Sequence, residues 1–457
     1  MSKRQLSLNA FLMSTGHHIA AWRHPDVPKG AELDFKQYLR VAQLAEAAKF
    51  DAVFVADGVA VGKSSNAGST GRYDTVGKTA RGSYLEPFTL LSALAATTDK
   101  IGLIATVSTS FNEPYNLARK FASLDWISNG RAGWNQVTSG NDDEAQNFSR
   151  DSHLDHALRY ERADEFLDVV KGLWDSWEDD AFIRDKDGGQ FFDPAKLHEL
   201  NHQGEHFQVK GPLNVARPPQ GYPVLVQAGS SEAGKDIAAR TAEVIFTAHQ
   251  NLENAQAFYA DVKGRLARYG RSPDELKILP GILPIVGRTE EEAQAKYQKL
   301  QALVHPQVGL SLLSGMIGAD LSAYDIDGPV PRDLPETNGS KSRQSLLLDL
   351  AERDNLSIRE LYLRIAGARG HWVVVGSYLQ VADQIQEWFE KGAADGFNVM
   401  PPWLSGGLEN FIELVVPELR RRGLFRSEYS GSTLREHLGL ARPENQYVLR
   451  REQRVVS

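Results

Sequence analysis

KIGLIATVSTSFNEPYNLARKFASLDWISNGRAGWNQVTS, residues 100–139, holds the pattern that decides the fold. IGLIATVST (101–109) is rich in branched side chains and reads as a strand. Residues 114–128 carry apolar groups at helical spacing, and RAGWNQVTS (131–139) is a strand again. Strand, helix and strand in that order imply parallel pairing. The second strand also ends in an unusual way, turning steadily more polar through Asn135, Gln136, Thr138 and Ser139.

The same alternation runs outward in both directions. QLSLNAFL (5–12), AVFVAD (52–57), YPVLVQAG (222–229), VIFTA (244–248), LKILPGILPIVG (276–287) and GFNVMPPW (396–403) read as six further strands. Helical spacing recurs over 34–49, 86–98, 155–176, from about 231, over 252–269, 289–303, 378–392 and 408–423. Eight strands, nearly all followed by helices, favour the α/β class and a closed (β/α)8 TIM barrel over an open sheet. Three stretches exceed what a barrel needs: 58–84 after strand 2, 177–221 between helix 4 and strand 5, and 304–370 after strand 7. Residues 424–457 read as a tail wrapping a surface, with a partner subunit of a homo-oligomer as one candidate for it; the expectation is one domain over 1–457.

The chain of 457 residues is 42% hydrophobic and 24% charged, with 51 Lys and Arg against 59 Asp and Glu. A net charge of −8 argues against nucleic acid as the main partner. Cysteine is absent, which excludes disulfides, thiolate catalysis and Cys-based metal centres. The N-terminal residues alternate like a strand rather than a signal peptide, and no apolar stretch is long enough for a bilayer, so the expected location is the cytoplasm with no membrane partner.

Barrel enzymes keep their sites at the carboxyl ends of the strands. There the sequence places Asp57 and, on one face of the third strand, Thr106 and Ser108. The fourth strand offers either Asn135, Val137 and Ser139 or Trp134, Gln136 and Thr138, since alternate residues face opposite ways. AGSSEAGKD (228–236) puts Ser230 and Ser231 at a helix start, whose free N–H groups suit a phosphate. His156 and Tyr160 stand one turn apart on the next helix face, and GHHIAAWRHP (16–25) adds His17 and His18. Such a rim suits a phosphorylated cofactor; spacing alone does not separate FMN, pyridoxal phosphate and a sugar phosphate. HELNH (198–202) matches a zinc-hydrolase pattern through His198, Glu199 and His202, but in a short segment bracketed by Pro194 and Gly204; the favoured expectation is no metal. DGVAVGKSS (57–65) has three residues between its glycines where a phosphate loop needs four.

The segments LNAFLMSTGHHIAAWRHP (8–25), KFDAVFVAD (49–57), SNGRAGWNQVTS (128–139), RYERADEFLDVVKGLWDSW (159–177), HELNHQGEHFQVKGPLNVARPPQG (198–221) and VQAGSSEAG (226–234) resemble the bacterial-luciferase-like flavin monooxygenases. The resembling branch contains the nitrilotriacetate, EDTA, dibenzothiophene-sulfone and long-chain-alkane monooxygenases. The resemblance implies reduced FMN (FMNH2) supplied by an NAD(P)H-dependent flavin reductase, with O2 as co-substrate. By motif it implies that Asp57, Thr106 and Asn135 line the flavin pocket, that His156, Tyr160, Ser230 and Ser231 hold its phosphate end, and that His17 handles protons or orients substrate, unless it is a structural His bonded to backbone. Lys63, Arg72, Lys78 and Arg81 in the rim loop bias it toward a carboxylated amine or organosulfur substrate, with Arg72 and Arg81 as candidate contacts. A His that the alkane branch leads one to expect near Leu312 is not there. A noncatalytic flavin-binding protein on the same fold is the other reading.

Overall fold

A computed structural model describes residues 4–62, 73–140, 142–229, 231–335, 341–368 and 370–456, with only the backbone described at 156, 341–343, 346 and 454–456. Eleven strands are described: β1 (Ser7–Leu12), β2 (Ala52–Val55), β3 (Gly102–Ser108), β4 (Ala132–Val137), β5 (His202–Gln203), β6 (Gln208–Val209), β7 (Val224–Ala228), β8 (Val244–Thr247), β9 (Lys277–Gly287), β10 (Trp372–Ser377) and β11 (Gly396–Val399). Parallel pairing runs β11-β1-β2-β3-β4-β7-β8-β9, and β9 pairs with β11 to close the ring. These are the eight strands read from the sequence. The result is a TIM barrel, closed because no edge strand remains unpaired within the ring.

Helices pack between the strands in chain order: α1 (Phe35–Ala47), α2 (Pro87–Ala95), α3 (Pro114–Ile127), α4 (Asp142–Gln146), α5 (His156–Trp174), α6 (Glu232–Thr241), α7 (Leu252–Arg265), α8 (Glu290–Ala302), α9 (Pro306–Ile317), α10 (Lys341–Arg353), α11 (Ile358–Ala366) and α12 (Tyr378–Glu390). Local chemistry fixes their starts. Pro87 opens α2, where Glu86 accepts from the amides of Phe88 and Thr89. No described helix is long and apolar enough to cross a membrane.

Alternation along the strands separates two apolar layers. Phe11, Phe54, Ile104, Val226, Phe246, Leu279 and Met400 pack together inside the barrel. Phe11 meets Phe54 and Phe246 edge-on at 4.6 and 5.1 Å. Leu8, Val53, Leu103, Trp134 and Leu225 point outward into the larger core beneath the helices. The lumen is therefore a packed solid, and space for ligands exists at its rim.

The insertion after β9 builds its own core from Leu313, Ile317, Leu347, Ile358, Leu361 and Tyr362 on α9, α10 and α11. It then delivers β10, a strand absent from the sequence reading. β9 is long enough that its second half, from Ile282 to Gly287, leaves the ring and pairs with β10 instead. The 177–221 stretch contains the antiparallel β5–β6 hairpin. The tail folds back under the barrel of its own chain: Leu434 is fully buried, and a Cβ on Gly102 would stand 2.4 Å from its Cδ1.

Candidate active site

The β4 ambiguity is decided by bulk. Trp134 is fully buried on the outer side, 5.7 Å from Phe121 and 5.9 Å from Phe166 by ring centroids. Its neighbour Asn135 therefore faces the lumen. β3 pairs with β4 so that Thr106 stands opposite Asn135. Asn135 Nδ2 donates to Thr106 Oγ1 at 2.9 Å, while its buried Oδ1 has no hydrogen-bond partner.

A second group converges across the β7–α6 junction. Ser231 caps α6, its Oγ accepting from the amide of Gly234 at 3.1 Å. A Cβ placed on Gly234 would lie 3.0 Å from Ser231 Oγ, 3.5 Å from the Tyr160 hydroxyl and 3.7 Å from Gln227 Nε2. Three polar groups from β7, α5 and α6 thus crowd around one glycine. Gln227 donates to the Gly234 carbonyl at 2.9 Å and leaves its buried Oε1 without a partner; Gln136 Nε2 is likewise unpartnered. A cavity of about 260 Å³ lies here, lined by Gln136, Thr138, Ser139, Tyr160, Gln227 and Ile237.

Burial of unpaired amides costs about 1–3 kcal/mol each. Gln136 Nε2 and Gln227 Oε1, partners in the β4–β7 register, offer this cavity a donor and an acceptor, while Asn135 Oδ1 offers a separate acceptor on the lumen face. The flavin expected from the resemblance has a polar ring edge for the lumen-facing Asn135 and a phosphate for the Ser231 end, so these residues fit it. Gln227 is not among the residues singled out from the sequence. Its signal was there, as the lone polar side chain in the buried run VLVQA.

Asp57 lies just past β2, in a separate cavity of about 240 Å³ with Met13, Tyr38, Arg81 and Tyr84. Burial raises its carboxyl to about 6, and the nearby Glu86 and Glu144 add to the rise. Tyr84 donates to the carbonyl of Gly58 at 2.5 Å and fixes the start of the loop.

His17 is fully buried, and its Nε2 donates to the Phe11 carbonyl at 2.9 Å. Its ring packs edge-on against Phe11 at 4.5 Å. Arg81 Nη2 donates to the His17 carbonyl at 3.0 Å, so this arginine ties the loop after β2 to the loop after β1. Lys78 turns back to the Asp74 carbonyl at 3.0 Å. Of the other expected contacts, Lys63, Arg72 and Ser230 lie outside the described residues, as does the side chain of His156.

The zinc pattern fails. His198–His202 is not a helix, and His202 already belongs to β5. His198 Nε2 pairs with Glu178 Oε1 at 3.0 Å, whereas His202 Nε2 pairs with Glu165 Oε1 at 2.8 Å. The two rings serve different carboxylates that tie the arm down, instead of sharing one helical face.

Comparison with known proteins shows the family. Residues 11–395 match the family of luciferase-like monooxygenases. The chain is 54% identical to N-acetyl-S-(2-succino)cysteine monooxygenase of Bacillus subtilis, over 98% of this chain and 99% of that one. It is 52% identical to nitrilotriacetate monooxygenase component A of Aminobacter aminovorans, over 97% and 98% of the two chains. The crystal structure of DmoA from Hyphomicrobium sulfonivorans superposes with a TM-score of 0.86 at 34% identity, covering 95% of this chain and 92% of that one.

Proposed function

The chain belongs to the luciferase-like monooxygenases, and from that premise we propose that it is the cytoplasmic oxygenase component of a two-component system. A separate NAD(P)H-dependent flavin reductase supplies reduced FMN, and the substrate is a small carboxylated amine or thioether. The observation that carries the cofactor reading is the polar cluster of Ser231, Tyr160 and Gln227 around Gly234 at the start of α6, beside a cavity of about 260 Å³. A partner component is supported by the name of the nitrilotriacetate enzyme, a component A. The substrate class is supported by two relatives of more than half identity, one named for a carboxylated thioether and the other for a carboxylated amine.

When bound, reduced FMN supplies the two electrons that activate O2. The side chains do the rest. Asn135, with Thr106 behind it, would orient the ring edge from the lumen face, and Gln136 and Gln227 would line the cavity near the phosphate end. Ser231 and Tyr160 would hold the phosphate end beside the start of α6. The apolar layer of Phe11, Phe54 and Phe246 seals the floor against water. Arg81, bonded to the His17 carbonyl, holds the two rim loops together over the substrate. His17 orients the loop after β1 through its own backbone bond. One oxygen atom goes to the carbon beside nitrogen or sulfur and the other leaves as water. The hydroxylated carbon then collapses to a carbonyl compound, and the C–N or C–S bond breaks to release an amine or a thiol.

The test supplies the chain with a flavin reductase, NADH, FMN and O2 labelled with the heavy isotope. N-acetyl-S-(2-succino)cysteine and nitrilotriacetate are each offered, and products are read by mass. Cleavage of either with one labelled oxygen is the expected result. Saturable binding of reduced FMN with no turnover of either compound, but turnover of a neutral sulfide or alkane, would overturn the substrate class; no binding of reduced FMN would overturn the whole reading.

A further inference from the structure

At the same mouth of the barrel stand three half-buried basic side chains with no counter-ion. Arg150 follows α4, His153 lies in the turn before α5, and Arg159 sits on the first turn of α5. Among the described residues the Arg150 guanidinium makes no hydrogen bond and no ion pair; its Nη1 is buried, and its Cζ stands 5.8 Å from the centre of the Phe111 ring. Both ring nitrogens of His153 are buried without partners, and the ring meets Phe111 edge-on at 5.3 Å. Arg159 donates through Nη1 to the Ser139 carbonyl but leaves Nε buried and unpartnered. Four nitrogen atoms of three basic residues are therefore desolvated together.

Arginines elsewhere in this chain are treated differently. Arg217 pairs with Asp175, Arg426 with Asp51 and Arg435 with Glu243. The carboxylates of α4 bond backbone amides instead of these side chains: Asp142 accepts from the His153 amide at 2.9 Å, and Glu144 accepts from the Val59 amide at 3.2 Å. Arg150 and His153 both stand against the Phe111 ring, and Arg159, bonded to the Ser139 carbonyl, lies on the first turn of the helix that His153 leads into. Burial lowers the His153 imidazole, with Arg159 and Arg150 adding to the fall and Glu144 opposing it. Phe148 stacks on Phe111 at 4.7 Å and gives the cluster an apolar floor. Desolvated donors held close against like charge are costly unless an anion joins them.

We propose that Arg150, His153 and Arg159 form a second oxoanion seat, taking a carboxylate or a phosphate. It is separate from the Ser231–Tyr160 end, whose cavity wall includes none of the three. The seat stands without the flavin reading, because its donors lie outside the set assigned to the flavin. A carboxylate there belongs to a substrate arm reaching across the rim; a phosphate belongs to a second phosphorylated ligand.

Calorimetric titration of the chain saturated with reduced FMN under anaerobic conditions tests this, with inorganic phosphate and succinate as separate probes. The expected result is saturable binding of at least one probe. Succinate alone marks the carboxylate source, and phosphate marks the phosphorylated one. Arg150→Met weakens that binding about tenfold or more, and Arg150→Lys retains most of it. The lysine variant separates loss of charge from loss of fold. The seat is overturned if neither probe binds the flavin-saturated wild-type chain, or if Arg150→Met and His153→Phe both bind as the wild type does.

Discussion

The two mouths of the barrel are built from similar residues and finished in opposite ways. At the amino end, Arg131 spends its guanidinium on the carbonyls of Ser128, Ile101, Ala95 and Thr98 and on the Thr98 hydroxyl. Asp125 accepts from the Ala132 amide and from Gln220. Leu434 fills the space left by Gly102 and Gly133, and Arg435 is clamped between Glu243 and the carbonyls of Tyr222 and Ala441. Arg435 Nε and His437 Nδ1 are the buried atoms left over in that plug. At the carboxyl end, Asn135, Gln136, Gln227, Arg150, His153 and Arg159 all keep buried polar atoms unpartnered. In the amino plug most polar groups are paired within the chain; at the carboxyl end several are not. Both apolar filling and polar pairing stabilise the fold, so the places where pairing is withheld are the ones that report function.

The largest expected effect belongs to the amino mouth. Leu434→Ala removes a fully buried side chain wedged between two strands, and should lower stability by about 2–5 kcal/mol in urea unfolding while the dissociation constant for reduced FMN stays within about twofold. A large change in flavin affinity would erase the distinction between the mouths. Asn135→Ala should do the reverse. Because half of its amide is already unpartnered, stability should change by less than about 1 kcal/mol while reduced FMN binds about tenfold more weakly, as read by anaerobic fluorescence titration. The smallest effect concerns Asp57. Its carboxyl sits at about 6 in the folded chain, above its ordinary value near 4, so the native state keeps a proton that the unfolded chain has released. Stability therefore falls as pH rises from about 4 through about 6, and the deficit persists above that. Asp57→Asn should raise the melting temperature by about 1–2 °C at pH 7.5 and leave it unchanged near pH 4. A lower melting temperature at pH 7.5 would show that the carboxylate is paired there and that the contrast is overstated.

The ring was legible because each of its strands is buried on both faces and reads as an apolar run between helical stretches. β10 was not, because it borrows its partner from the overhang of β9 and lies outside the ring. Thr106, Tyr160 and Ser231 stand out in the sequence by their position at strand and helix ends. Asn135 was left undecided against Gln136, since both faces of β4 end in polar groups. His198 and His202 illustrate the opposite error, a spacing that suggests a shared helix face where the backbone forms none. Arg150 and His153 gave no signal at all, because an unpaired charge looks like any other charge until its neighbours are known.

The sequence by itself determined the alternation, hence the parallel barrel, and the polarity of the strand ends, hence the mouth that carries the site. Periodicity and capping are local, acting within a few residues. Only the tertiary structure decided that Trp134 turns outward and Asn135 inward, that the tail plugs its own barrel, and which charges are left unpaired. Those outcomes depend on groups that meet from far apart in the chain, as when Arg426 reaches Asp51 across 375 residues, and no local pattern encodes such a meeting.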